Sequence, residues 1–224
     1  MITFIKKNYI AIIIHILVVC VQCLVYSGSK FINGSMYQYN LNIDFIDNFI
    51  PFVNWFIIVY VLCYPWWYLG PFLSLKYSRK RYYNYLISAA IGYIVAGIFF
   101  IVLPTTIERP IVYNDNFLNM LVNFIYEVDT PATNLFPSLH CFISWNCYLS
   151  IRKEKTIPII FRTSYLIFAC LVCASTVFVK QHFFVDIIGG VILAEFTWFF
   201  SNKFNLGNWI IKIENKLGGQ QNDY

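Results

Sequence analysis

The chain has 224 residues, of which 59% are hydrophobic, 20% aromatic and only 12% charged, with a net charge of +5 and a mean hydropathy of +0.61. A soluble domain carries about 25% charged residues, so this composition excludes a water-facing globular surface and points to a bilayer as the solvent. The sixteen Lys and Arg stand in short clusters between apolar runs, which excludes nucleic acid as a partner and reads as membrane topology.

The first apolar run, 9–26, follows Lys6 and Lys7 and has no small-residue cleavage site after it. It is expected as a retained helix, not a signal peptide. Residues 27–51 mix polar and aromatic side chains and end at Pro51; they are expected in the membrane interface, with Lys30 a solvated loop charge. The second run, 52–75, holds Pro65 and Pro71, which should kink it or end it early. Trp55, Trp66 and Trp67 suit an aromatic belt. The third run is 84–104. Residues 117–126 (FLNMLVNFIY) are apolar but too short to span, and are expected to lie flat. The fourth run, 137–151, is short; the fifth and sixth are 157–177 and 183–201. Most approach the roughly 20 residues that cross about 30 Å of hydrocarbon. The expected fold is all-α: a polytopic membrane protein, one domain over 1–224, with six transmembrane helices and short interfacial helices on its outer face.

Basic residues orient the bundle. With a cytoplasmic amino terminus, the cytoplasmic segments hold Lys6, Lys7, Lys76, Arg79, Lys80, Arg81, Arg152, Lys153, Lys155, Arg162, Lys203, Lys212 and Lys216. That is thirteen of the sixteen, leaving only Lys30, Arg109 and Lys180 outside. This asymmetry predicts a cell-membrane protein with both termini cytoplasmic. The seven cysteines lie in or beside apolar runs and are read as packing residues, the two CxxC pairs (Cys20/Cys23 and Cys170/Cys173) included. His15, inside the first run, is read as a hydrogen-bonded structural residue, and Glu108, Glu127 and Asp129 as loop charges or arginine partners.

Three polar patches share the predicted outer face: Arg109-Pro110, Pro137-Ser138-Leu139-His140, and Ser175-Thr176 followed by His182 and Asp186. His182 and Asp186 are four apart and share a helix face. A carboxylate there holds one ring nitrogen and raises the basicity of the other, as for a nucleophile or a base. An Asp at a membrane boundary is functional by default. Pro137 suits the first position of a helix, which would leave the N–H groups of Ser138 and Leu139 free as an anion site. Arg109 offers a planar fork for phosphate oxygens. The set suggests phosphoryl transfer: one His attacks phosphorus, the other protonates the leaving alkoxide, and the remaining donors hold the equatorial oxygens. No metal or other cofactor is expected, since no carboxylate cluster suited to magnesium stands on that face.

These residues resemble the type 2 phosphatidic acid phosphatase, or lipid phosphate phosphatase, superfamily. Its pattern is K-x6-R-P, P-S-G-H and S-R-x5-H-x3-D; the matches here are R-P at 109–110, P-S-L-H at 137–140 and S-T-x5-H-x3-D at 175–186. The stretch DFIDNFIPFVNWFIIVY is similar to the start of the second helix in bacterial members, so that the resemblance covers roughly 44–190. It implies His182 as the nucleophile that becomes phosphohistidine, Asp186 as its orienter, His140 as general acid, and Arg109 and Ser138 as phosphate binders. Three positions depart: Val102 stands for the first lysine, Leu139 for the glycine and Thr176 for the third-motif arginine. Each lost charged hydrogen bond is worth about 1.5–3 kcal/mol. Lys180, four residues after Thr176, is the expected replacement, with Ser175 and Thr176 as further phosphate donors.

The reading is a membrane phosphatase acting on a lipid or polyprenyl phosphate or diphosphate, with the substrate tail in the bilayer. The first rival is a sphingolipid-synthase-type phosphotransferase using the same His pair. The second is a catalytically silent transporter or scaffold, against which stands the gathering of polar residues at one end of the helices. Nothing in the sequence specifies an oligomeric state.

Overall fold

The structure is a computed structural model that describes residues 2–33 and 36–217. It is all-helical: among the described residues there are isolated β-bridges but no strand. The helices are α1 (Ile2–Lys7), α2 (Tyr9–Asn33), α3 (Asp44–Asp47), α4 (Phe56–Leu69), α5 (Phe72–Tyr77), α6 (Arg79–Val102), α7 (Phe117–Val128), α8 (Leu139–Arg152), α9 (Ile159–Phe178), α10 (Phe184–Lys203) and α11 (Leu206–Lys216).

Among the described residues five helices are long and apolar enough to cross a membrane: α2, α4 continued by α5, α6, α9 and α10. Their outward faces are exposed apolar side chains, such as Ile13, Leu17 and Leu24 on α2 and Ile188, Ile192 and Phe199 on α10. A helix that is apolar both inside and outside is what lipid demands. The fold is thus a polytopic membrane bundle. The fourth expected span differs from the rest. α8 has only 14 residues, about 21 Å of helix, and is packed inside the bundle, with Leu139, Phe142, Ile143, Cys147 and Leu149 in the main core. It is short because it is sheltered by protein.

Other boundaries also shift. α2 runs to Asn33, seven residues past its expected end, because Ser29 and Asn33 are buried against Asn134. α4 passes through Pro65, and the break comes at Gly70-Pro71 before α5. α6 starts at Arg79, capped by the Ser78 hydroxyl, which accepts from the Arg81 N–H. Its basic first turn is helical because the charges find partners: Arg79 is bidentate to the buried Glu214 at 2.8 and 2.7 Å, and Arg81 donates to the carbonyls of Leu149 and Ser150 at the end of α8. α7 is the expected short apolar helix, slightly longer. His15 shares a 2.8 Å hydrogen bond with Tyr82 and stacks on Phe72, as a structural residue does.

α6, α8 and α10 form the centre, with α2 against α6 and α9 against α8. One contact sets the depth of α8. A Cβ on Gly190 in α10 would lie 2.5 Å from the Ser138 carbonyl oxygen and 3.0 Å from Cys141 Cβ. Only hydrogen at that position lets the start of α8 rest on α10. Gly190→Val is expected to destabilise the detergent-solubilised protein by about 1–3 kcal/mol through overpacking, read as a lower thermal unfolding midpoint. Gly28→Val, where a Cβ would meet nothing within 4 Å, is the control and should leave the midpoint in place.

Candidate active site

His182 stands in the turn between α9 and α10. The last carbonyls of α9 build that turn: Thr176 O accepts from the N–H groups of both Gln181, at 2.9 Å, and His182, at 3.1 Å. Lys180 takes the left-handed conformation (φ 54°) that reverses the chain. Asp186 sits at the third position of α10, wholly buried. Its Oδ2 accepts from Phe183 N at 2.9 Å, satisfying the start of the helix, and from His182 Nδ1 at 3.2 Å. With its proton on Nδ1, the His182 ring carries its lone pair on Nε2.

His140 reaches the same place from α8. Its ring centroid is 5.6 Å from that of His182, in an edge-to-face arrangement. Tyr60 stacks on it at 4.5 Å, Trp67 meets it edge-on at 5.0 Å, and the Tyr64 hydroxyl shares a 3.3 Å hydrogen bond with Nε2. Both histidines line a cavity of about 210 Å³ walled by Tyr26, Tyr60, Tyr64 and Trp67 between α2, α4 and α8. His182 also lines a second cavity of about 490 Å³, bordered by Asn40, Asn42, Asp47, Arg109 and Lys180. The nucleophile candidate therefore stands on the partition between an aromatic cavity and a polar one.

At the start of α8 one of the two N–H groups expected to be free for an anion, that of Ser138, is committed within the protein. Pro137 precedes the helix, Ser138 is the N-cap and Leu139 the first helical residue. The Ser138 N–H is not free: it donates to the Asp186 carbonyl at 3.1 Å. The Ser138 hydroxyl accepts from Cys141 N as a helix cap. The bond from the Ser138 N–H to the Asp186 carbonyl ties α8 to α10 and so His140 to His182. The Ser175 and Thr176 hydroxyls are fully buried and donate to the Val172 and Cys173 carbonyls within their own helix. Serine and threonine hydroxyls near a helix end find such carbonyls more readily than distant ligands.

Arg109 lines the polar cavity with His182, and its two terminal nitrogens are engaged by protein acceptors. It donates to Asp129 Oδ2 at 2.6 Å, to Gln181 Oε1 at 2.5 Å and to the Tyr126 carbonyl at 2.9 Å, and it covers the Tyr126 ring. Burial pushes the Tyr126 phenol up, and the nearby guanidinium opposes that shift. Asp129 is a hub: its other oxygen accepts from the Tyr26 hydroxyl at 2.6 Å and from Lys30 at 3.3 Å. Lys30 is therefore ion-paired on α2, not a solvated loop charge, because the longer helix carries it to Asp129. Glu108 and Glu127 are exposed.

Lys180 does not extend toward Thr176. Its ammonium donates to the carbonyls of Asp47 at 3.3 Å and Ile50 at 2.5 Å. The reversed backbone at Lys180 sends its side chain to the 43–50 segment. Burial lowers the Lys180 pKa, and Asp47 works against that shift. Asp47 in turn accepts from the N–H groups of Ile43 and Phe184, fastening the segment over the start of α10. Among the described residues no three of His, Cys, Asp and Glu gather closely enough to hold a metal ion.

Sequence reasoning did not single out Gln181, Asp47, Tyr60 or Tyr64. The signal for Gln181 was its place before His182; the others are brought by segments remote in sequence.

The fold and site are those of a polytopic membrane helix bundle with a buried His–Asp pair facing a second His at one end. The chain belongs to the PAP2 superfamily, whose profile matches residues 40–200. Comparison with curated proteins and with solved structures returned no match. Membership implies phosphatase-type activity on phosphate esters.

Lys180→Met removes the two carbonyl contacts of the ammonium. Backbone amide exchange over residues 43–50 is expected to quicken while exchange in the central helices α6, α8 and α10 stays as it is.

Proposed function

We propose that the protein is a metal-independent membrane phosphatase that hydrolyses a lipid or polyprenyl phosphate or diphosphate through a phosphohistidine on His182. The observation that carries the reading is the 3.2 Å His182–Asp186 pair set 5.6 Å, ring to ring, from His140 on the wall of one aromatic cavity. His182 Nε2 forms a bond to phosphorus as the bond from phosphorus to the lipid oxygen breaks. His140 gives its proton to the leaving alkoxide. In the second half His140 takes a proton from water, whose oxygen attacks phosphorus and releases phosphate and free His182. Asp186 fixes the ring and stabilises the imidazolium that forms. Arg109 holds phosphate oxygens.

The two rings touch edge to face, so the phosphoryl group meets them from the cavity side and parts them slightly. The aromatic cavity between α2 and α4 suits the substrate's apolar portion, which would remain in the bilayer. The end of the bundle with the histidines holds Arg109, Lys180 and Lys30, and the opposite end gathers Arg79, Arg81, Arg152 and Lys203. The positive-inside bias then puts both termini in the cytoplasm and the site at the extracytoplasmic face of the cell membrane.

The polar cavity on the far side of His182 favours a second reading. A hydroxylated acceptor seated among Asn40, Asn42 and Asp47 could take the phosphoryl group in place of water, which would make the protein a lipid phosphotransferase.

The test is phosphate release from a panel of lipid and polyprenyl phosphates and diphosphates, with purified protein in detergent and excess chelator. Chelator-resistant release is expected, abolished by His182→Ala and lowered about 10⁴-fold by Asp186→Asn. Phosphodiester formation dependent on an added alcohol, with little free phosphate, would favour the transferase. No turnover of either kind by folded protein would sink the enzyme reading.

A further inference from the structure

The Arg109 guanidinium has five N–H donors. The four on its terminal nitrogens face the Tyr126 and Asp129 carbonyls, the Asp129 carboxylate and Gln181 Oε1. Among the described residues its Nε has no hydrogen-bond partner, and neither does Nε2 of Gln181, though both atoms are buried. The Arg109 side chain is 9% exposed and Gln181 is 1% exposed. The orientation of the Gln181 amide is not free: a guanidinium N–H 2.5 Å away requires the oxygen on that side, so the NH₂ group is turned to the other. Two buried donors on adjoining side chains, one of them bonded to the residue next to His182, are an arrangement that calls for acceptor oxygens.

The charge deficit of the site points the same way. Val102, where the first lysine is expected, is 74% exposed on the outside of α6, and the Thr176 hydroxyl is spent on Cys173 O. Lys180 and Lys30 are committed to Ile50 and Asp129. The backbone bonds from Gln181 and His182 to one carbonyl, Thr176 O, lock the two residues into a single turn.

We propose that Gln181 is a phosphate-binding residue. Its Nε2–H and the Arg109 Nε–H donate to two oxygens of the phosphoryl group held beside His182, and the amide takes the place of the cation that Thr176 does not supply. Asp129 keeps Arg109 in position from the opposite edge. The proposal rests on the phosphohistidine reading above.

The alternative is that Gln181 only props Arg109 through its Oε1, and two substitutions separate the roles by sign. Gln181→Glu keeps an acceptor for Arg109 and loses the donor. Gln181→Arg keeps donors and loses the acceptor. The probe is inorganic phosphate, titrated calorimetrically into the full chain in detergent, with folding checked by thermal unfolding. Gln181→Glu is expected to weaken phosphate binding about 10- to 100-fold, the worth of a hydrogen bond to a charged group. Gln181→Arg should bind phosphate as well as the wild type or more tightly. If Gln181→Arg does not fold, Gln181→Lys, which also only donates, takes its place. Weaker binding in Gln181→Arg with binding kept in Gln181→Glu makes Gln181 a prop and overturns the proposal, as do equal effects of both. Lipid phosphate release by the wild type is measured on the same preparation. Release that continues while the variants contradict the proposal overturns the Gln181 assignment alone. Absence of both release and phosphate binding in the wild type overturns the phosphohistidine reading and this proposal with it.

Discussion

The Asp186 carboxylate is the constraint on which the site depends. It is wholly buried, where a carboxylate needs hydrogen bonds in place of water; its Oδ2 has two, and its Oδ1 has none among the described residues. One oxygen is shared between the His182 ring and the Phe183 N–H, so that the charge serves the imidazole and the start of α10 together. The same residue's backbone carbonyl accepts the Ser138 N–H. Orientation of one histidine, the start of α10 and the docking of the helix that carries the other histidine thus converge on a single residue. Gly190, one turn further along, lets the two helices close to the distance this requires.

The rest of the bundle serves that geometry by separating polar from apolar groups. Lipid cannot satisfy a stray polar atom, and several buried polar side chains pair across helices, as Ser88 does with Asn146 and Thr197, or Trp67 with Ser144. Charges are held at the two ends. At one, Arg79 and Glu214 tie α6 to α11. At the other, Asp129 gathers Arg109, Lys30 and Tyr26 from separate segments. The loops over the site are fastened by similar means: Thr105 Oγ1 accepts from the N–H groups of Leu135 and Phe136, which lead into α8. A short, sheltered α8 fits this economy, since a helix surrounded by protein need not match the bilayer's thickness.

Much of this was legible beforehand, for a definite reason. The apolar runs mark the helices because hydrocarbon tolerates few charges at any position, and the short separation of His182 and Asp186 keeps them neighbours, although His182 stands in the turn before α10 and not on one helix face with Asp186. Helix ends were less legible. Lys30 reads as a loop charge until Asp129, ninety-nine residues away, is seen to receive it. Arg79 and Arg81 read as lying before the third helix until Glu214 and the end of α8, found beside them, explain why the helix starts at Arg79.

The sequence by itself determined the solvent, the helical class, the end of the bundle at which polar chemistry collects, and the His182–Asp186 pair, because composition and short-range spacing fix these locally. Only the tertiary structure decided the commitments of the donors. It gave the Ser138 N–H to Asp186, the Ser175 and Thr176 hydroxyls to their own helix, and the Lys180 ammonium to the 43–50 segment. It also joined Gln181 to Arg109 and enclosed His140 among Tyr60, Tyr64 and Trp67. A hydrogen-bond donor carries no mark in sequence of which acceptor it will meet. That choice is made by which backbone passes within 3 Å once the helices have packed.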